Sequence, residues 1–306
     1  MKLISDLPLA RFDTDRAAGM RSNANWLTDA WASDSTRILV VQEGNVPVTD
    51  DVSLIWVKPS AISEPLEQVR DSAVLLGVDT DHTYIALVND VASLDAISWL
   101  SLRGIGSQLS SRDVGLAIAA VALNSWHATH KYCPRCGTAT LVVQAGWARH
   151  CPTDNSEHYP RTEPAMIAAV NDDKDRILLG RRNEWQPGWF STLAGFVEAG
   201  ESAEACVVRE VFEEAGVHVD PSSLIYLGSQ PWPFPASLML GYRATAVSTE
   251  LAREEAEMAE VRWFSKEEFE AACIKQELRL PNDSTIAFHL IQHWYGKPIP
   301  TEWTRK

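Results

Sequence analysis

Three carboxylates, Glu210, Glu213 and Glu214, stand together in the segment CVVREVFEEAGV. On a helix these positions are i, i+3 and i+4, so the three side chains share one face. Like charges at that spacing repel by roughly 0.2–0.5 kcal/mol per exposed pair. A hard cation such as Mg2+ or Mn2+ relieves the repulsion, because it prefers oxygen ligands. A cation held there can also bind phosphate oxygens and activate a water. By itself Glu-x-x-Glu-Glu is usually a solvated helix face, so the surrounding residues have to decide.

Those residues supply a helix and its ends. Ser202 can cap a helix that begins near Ala203, and Gly216 can end it in a left-handed conformation. Val208, Val211, Phe212 and Ala215 fall opposite the carboxylates and are expected to be buried. Cys206, one turn before Glu210, is expected to be a small packing residue. The whole stretch from Gly195 to Val217 fits G-x5-E-x7-R-E-U-x-E-E-x-G-U, with U aliphatic. Its fixed positions are Gly195, Glu201, Arg209, Glu210, Val211, Glu213, Glu214, Gly216 and Val217, too many for a chance match. Gly195 is expected to permit a tight loop before the helix. Arg209, lying off the carboxylate centre, is expected to anchor that loop through a charge-assisted bond. This pattern is the Nudix box, and the chain resembles the Nudix hydrolases. That resemblance implies metal-dependent cleavage of a nucleoside diphosphate linked to another moiety. Glu213 and Glu214 would be the primary metal ligands, assisted by Glu210.

Downstream, SQPWPFPAS spans Ser229 to Ser237. Its flanks LIYLG and SLMLGYRATAV read as strands. Pro231, Pro233 and Pro235 stiffen the connection and hold Trp232 and Phe234 in fixed directions. Following a Nudix box, this motif is similar to the hallmark of the NADH pyrophosphatases (NAD diphosphatases). The resemblance implies hydrolysis of NADH or NAD+ to NMNH or NMN plus AMP, and extends to removal of NAD caps from RNA 5′ ends. It assigns substrate contacts to Gln230, Ser237 and Ala287. Phe196 and Tyr159 would flank a base or nucleotide. Glu257, counted back six residues from Trp263, would be a further metal or catalytic carboxylate, although Glu254, Glu255 and Glu260 lie close by in sequence.

A second metal pattern lies upstream. Cys133 and Cys136 form C-x2-C followed by Gly, a zinc-knuckle signal. The resembling family usually has a second cysteine pair. Here Cys151 is present, but Asp154 occupies its partner's position. His150 and His158 are near. Ligand chemistry favours His158 as the fourth ligand, because structural zinc accepts Cys3His. Spacing favours Asp154. A metal-free ribbon and plain packing cysteines are the alternatives. Five cysteines in 306 residues do not suggest a disulfide scaffold, and Cys273 reads as a packing residue in a helix.

The formal charge of −14 argues against a dedicated nucleic-acid binder. Residues 126–161 carry Lys131, Arg135, Arg149 and Arg161 against Asp154 and Glu157, with four of the eight histidines; a modest RNA-facing surface is one reading, and a zinc ribbon with solvated charges is the favoured one. No apolar run reaches membrane-helix length. MKLISDLPLARF lacks the features of a signal peptide, so a cytoplasmic location is expected.

Three segments are expected. Residues 1–125 form an α/β domain with strands at ILVVQ (38–42), SLIWV (53–57), VLLGV (74–78) and TYIALV (83–88). A helix near Asp113 would carry Val114, Ile118 and Val121 on one face. This half holds no motif tied to chemistry. Residues 126–160 form a zinc-ribbon-like insert. Residues 161–306 form the Nudix domain, with strands AMIAAV and RILLG and a closing helix near 284–295. The fold class is α/β (α+β), a Nudix fold with a mixed sheet between helices. The resemblance also implies a homodimer. A general Nudix hydrolase of ADP-ribose or damaged nucleotides is a competing reading, as is a non-catalytic nucleotide sensor. The Pro-rich motif argues against the first and the intact carboxylate set against the second.

Overall fold

β-branched and leucine-rich runs at residues 36–40, 73–78 and 83–87 of the amino-terminal half form largely buried strands. The computed structural model describes residues 3–92, 94 and 98–305; Met1 and Lys2 of the amino-terminal segment lie outside them. Helix α1 (Trp26–Trp31) is followed by β1 (Thr36–Val40), β2 (Val46–Val48), α2 (Leu66–Val69), β3 (Ala73–Val78), β4 (Thr83–Leu87) and β5 (Ser98–Leu100). Strand β4 pairs parallel with β1 and antiparallel with β3. β2 and β5 form a separate antiparallel pair. The expected strand at SLIWV is absent. Leu54 bridges to Val48 and Val57 to Ile38, so the segment crosses between two sheets and runs alongside neither.

Next come α3 (Leu102–Ile105) and α4 (Ser111–Thr129), the latter capped by Ser110, whose side chain accepts from Asp113 N. Val114, Ile118 and Val121 are buried as expected, and so are Leu116, Ala117, Ala120 and Leu123. The ribbon follows as β6 (Leu141–Val143), β7 (Ala148–His150) and β8 (Glu157–His158), an antiparallel sheet. It is docked onto the amino-terminal half by buried polar contacts. Arg149 Nη1 donates to His127 Nδ1 at 2.9 Å, which leaves His127 Nε2–H to donate to Gly146 O at 2.8 Å. Arg149 Nε also donates to Thr140 Oγ1 at 2.7 Å, and Trp147 Nε1 to Leu75 O at 2.7 Å. Burial, then the nearby Arg149 charge, pushes the His127 pKa down to about 4 despite its bond to Gly146. Helix α4 runs through to Thr129, past residue 126.

The remaining chain forms β9 (Glu163–Asn171), β10 (Ile177–Arg182), β11 (Leu193–Phe196), α5 (Ala203–Ala215), β12 (Ile225–Trp232), β13 (Ser237–Thr245), β14 (Met258–Phe264), α6 (Lys266–Ile274) and α7 (Ile286–Tyr295). Its sheet runs β12-β13-β9-β10-β14, with β11 also on β9. The pairing is mixed, parallel for β13 with β9 and antiparallel for β10 with β9 and β14. Alternation along β9 explains the unbroken apolar run there. Ile167 and Ala169 pack with Phe269, Leu290 and Ile291 of α6 and α7, whereas Met166, Ala168 and Val170 pack with Val207, Val211 and Ala215 of α5. The sheet therefore lies between helices. Each large aliphatic side chain so buried contributes roughly 1.5–3 kcal/mol. Cys273 is buried in α6.

By packing, the chain divides into two units. One comprises residues 11–162 with Trp232–Ala236; the other comprises residues up to 10, 163–231 and 237 onward. Among the described residues no helix is long and apolar enough to cross a membrane.

Candidate functional site

Helix α5 carries the candidate carboxylates, and its ends follow the sequence chemistry. Ser202 accepts from Ala205 N, and Gly216 closes the helix at φ 70°. The buried stripe runs through Cys206, Val207, Val211, Glu214 and Ala215. It is rotated from the expected one: Val208 is half-buried, and Phe212 is exposed, stacked on His218 at 4.6 Å. The rotation carries Glu214 inward. The three box carboxylates therefore differ in environment. Glu213 is exposed, Glu210 is half-buried and Glu214 is 3% exposed.

Glu214 Oε1 accepts from Arg182 Nη2 at 3.3 Å, and its Oε2 is buried without a hydrogen-bond partner. Burial, reinforced by the Glu210 charge and only partly offset by Arg182, pushes the Glu214 pKa up to about 7. Burial likewise raises Glu210, where the charges of Glu213 and Glu257 add to the effect and Arg209 opposes it. Glu257 is exposed, just ahead of β14, and its carbonyl accepts from Asn183 N at 3.0 Å.

Arg209 is more central than the sequence suggested. Its Nε and Nη2 grip Glu201 in a bidentate pair at 2.8 Å each. Nη1 donates to Glu210 Oε1 and Glu213 Oε2, both at 2.8 Å, and Nη2 reaches Phe196 O at 3.0 Å. It anchors the loop as expected and also sits among the carboxylates. That bidentate grip, with a hydrogen bond from Glu198 N, pulls the Glu201 pKa down to about 2.

Gly195 acts differently from expectation. It lies in β11, not in a loop, and needs no left-handed backbone. A Cβ there would stand 1.9 Å from Glu210 Cδ, so its missing side chain makes room for that carboxylate. Cys206 is buried, with Sγ 3.3 Å from Phe196 O, the packing role expected.

The other sequence-selected residues are scattered. Phe196 is exposed at the end of β11, and Tyr159 is exposed in the other unit, its hydroxyl donating to Glu157. Ser237 is half-buried at the start of β13. Gln230, expected at the substrate, is fully buried because it points inward from β12. Its Nε2 donates to Ser284 O at 2.8 Å. Ala287 is buried in the first turn of α7. Sequence reasoning missed Arg182, the cation paired with Glu214. A bulge between Arg181 and Arg182 re-aims it, and no local motif announces that.

In the ribbon, ligand atoms of Cys133, Cys136, Cys151 and Asp154 all lie within 4.8 Å of one another. The Cys136 and Cys151 sulfurs are 3.4 Å apart, too far for a disulfide and near the roughly 3.8 Å edge of a tetrahedron with Zn–S of about 2.3 Å. Cys133 Sγ is 3.4 Å from Asp154 Oδ2. His158 Nε2 instead meets Ser156 Oγ at 3.0 Å and stays outside the cluster.

Three family models match the chain: the NUDIX domain over residues 161–284, the NADH pyrophosphatase zinc ribbon domain over 128–159, and the NADH pyrophosphatase-like rudimentary NUDIX domain over 34–126. The NAD-capped RNA hydrolase NudC of Mycobacterium bovis (strain BCG / Pasteur 1173P2) is 34% identical, over 94% of either chain. The NAD-capped RNA hydrolase NUDT12 of Macaca fascicularis is 32% identical over 92% of this chain and 71% of its own. That of Homo sapiens is 40% identical over 61% of this chain and 43% of its own.

Proposed function

The chain belongs to the NADH pyrophosphatase family of Nudix hydrolases, and from that premise we propose that it hydrolyses the pyrophosphate bond of NADH or NAD+, releasing NMNH or NMN plus AMP. The observation that carries this reading is the buried, unpartnered Oε2 of Glu214, close enough to Glu210 to feel its charge. A buried carboxylate oxygen without a donor is costly. Oxygen donors of this kind suit Mg2+ or Mn2+. Glu210, Glu213, Glu214 and Glu257 are the residues proposed to hold the cation. Bound there, such a cation would supply charge neutralisation for the diphosphate and a lowered pKa for a nucleophilic water.

The chain's own groups do the rest. Arg209 keeps Glu210 and Glu213 in register with the loop through Glu201 and Phe196 O. Gly195 leaves Glu210 its space. Arg182 holds one oxygen of Glu214, so that the other is fixed in direction. Phe196 and Tyr159, with exposed rings, are proposed to stack on bases. Ser237 is proposed to contact the dinucleotide. Ala287 can offer a first-turn N–H of α7, and buried Gln230 would act through the Ser284 carbonyl it holds. Cys133, Cys136, Cys151 and Asp154 are proposed to hold a structural zinc, for which thiolate and carboxylate donors at this mutual spacing fit.

A second reading has its own support. The relatives above are named NAD-capped RNA hydrolases, so the same chemistry on an NAD-capped RNA 5′ end is proposed beside the free dinucleotide. The charge of −14 favours the smaller substrate. Rates on NADH and on NAD-capped RNA at equal metal concentration separate the two. Glu213→Gln should abolish turnover of both while leaving the fold intact, and metal-dependent activity retained in that variant would contradict the assignment. Five free thiols are in keeping with a cytoplasmic enzyme. A homodimer is the family expectation, which sedimentation tests.

A further inference from the structure

The segment ahead of the ribbon, residues 1–125, offers no motif of its own, yet one of its arginines grips the turn at the centre of SQPWPFPAS. Arg103, in the short helix α3, places its guanidinium carbon 4.6 Å from the Phe234 ring centroid and 5.5 Å from that of Trp232. Its Nη2 donates to Phe234 O at 3.4 Å. The two rings meet edge-to-face at 5.0 Å and 79°, and Phe234 N donates to Trp232 O at 2.8 Å. The turn is thus closed on itself and capped by a cation that touches both rings and the main chain.

The support behind Arg103 is also built. Ser101 caps α3 by accepting from Arg103 N. Just beyond the C-terminal end of that helix, Arg11 Nη2 gathers the carbonyls of Gly106, Ser107 and Leu109 at 3.0, 3.3 and 3.0 Å. Residues Trp232–Ala236 accordingly cluster with the amino-terminal unit and not with the strands on either side of them in sequence.

We propose that Arg103 is a positioning residue for substrate selection, clamping the Trp232–Phe234 turn so that the Pro-rich motif presents one fixed shape to the dinucleotide. This rests on the NAD diphosphatase reading above. A turn held before binding loses less entropy on binding, so the gain appears in KM. Lysine can keep the cation–π attraction but lacks the planar fork, so it should restore only part of the effect.

The test uses the full chain with Arg103→Ala and Arg103→Lys. kcat and KM are measured on NADH and on ADP-ribose, which has the same pyrophosphate but lacks the nicotinamide. In Arg103→Ala, KM for NADH should rise roughly 3- to 10-fold, with kcat within about twofold and a lower NADH to ADP-ribose preference. Arg103→Lys should fall between that variant and the wild type. Equal losses on both substrates, tracking loss of folded protein, would mean a merely structural contact and overturn the proposal. So would an unchanged preference. Wild-type protein inert on NADH would overturn the functional reading instead. Hydrogen exchange then tests the clamp by itself: amides of residues 232–236 should exchange faster in Arg103→Ala, and unchanged exchange would overturn it.

Discussion

Gly195 and Glu210 compete for one volume: a Cβ at residue 195 would stand 1.9 Å from Glu210 Cδ and 2.1 Å from its Oε1. The glycine is therefore a steric partner of the carboxylate. Its strand conformation would accept any residue.

Gly195→Ala should consequently spare the fold and cost activity. The clashing atoms are the far end of a flexible side chain, so Glu210 can swing away and stability should change by about 1 kcal/mol or less. The displaced carboxylate leaves Arg209 and the proposed metal position, and kcat should drop at least about tenfold. Thermal melting beside steady-state kinetics checks both halves. Wild-type kcat in a folded Gly195→Ala protein would contradict this account.

Glu214 should make the metal-free protein less stable as pH rises. Its folded-state pKa, about 7, lies above the ordinary 4.5, so the folded state holds the proton more tightly. The resulting stabilisation is fully present below pH 4.5 and is lost as pH rises to about 7, a change on the order of 3 kcal/mol. In chelator, Glu214→Gln should flatten that decline, and with metal supplied it should eliminate turnover. Added Mg2+ should raise the wild-type melting temperature at pH 8 but not that of the variant. A pH slope equal in variant and wild type would count against the buried charge.

His127 works in the opposite sense. Its folded-state pKa, about 4, lies below the usual 6.5, so the unfolded chain takes up the proton first. Stability should be lost as pH falls from about 6.5 to 4, again on the order of 3 kcal/mol. His127→Gln can keep a donor and an acceptor and should remove this dependence. The two trends oppose one another between pH 4.5 and 6.5, so each must be read as a difference between variant and wild type. A His127→Gln melting profile parallel to wild type across that window would refute the buried neutral imidazole.

At the ribbon, Asp154→Cys completes a four-thiolate set and should slow zinc loss to a chelator at least about tenfold. Asp154→Ala should release zinc readily, whereas His158→Ala should retain it, since His158 is engaged with Ser156. Metal analysis after dialysis decides. Zinc kept by Asp154→Ala and lost by His158→Ala would reverse the choice of fourth ligand.

What the sequence disclosed was local chemistry. The start and stop of α5 are written in Ser202 and Gly216, whose roles need only their immediate neighbours. The mixed sheet between helices is expected from the order of elements and the resemblance to the Nudix fold, and β9 is apolar on both faces because helices cover both. What escaped was set by tertiary phase and distance. The rotation of α5 against the sheet buries Glu214 and exposes Phe212, and nothing in the helix alone fixes that angle. SLIWV has strand composition but divides its pairing between Val48 and Ile38. Arg103 reaches Phe234 across 131 residues of sequence, a separation no motif bridges.

The most direct measurement is product identification after incubation with NADH and Mg2+ or Mn2+, beside ADP-ribose. The account predicts NMNH and AMP in equal amounts, abolished by chelator and by Glu213→Gln, with NADH preferred to ADP-ribose. Cleavage of ADP-ribose alone, or no metal-dependent cleavage of NADH, would contradict it.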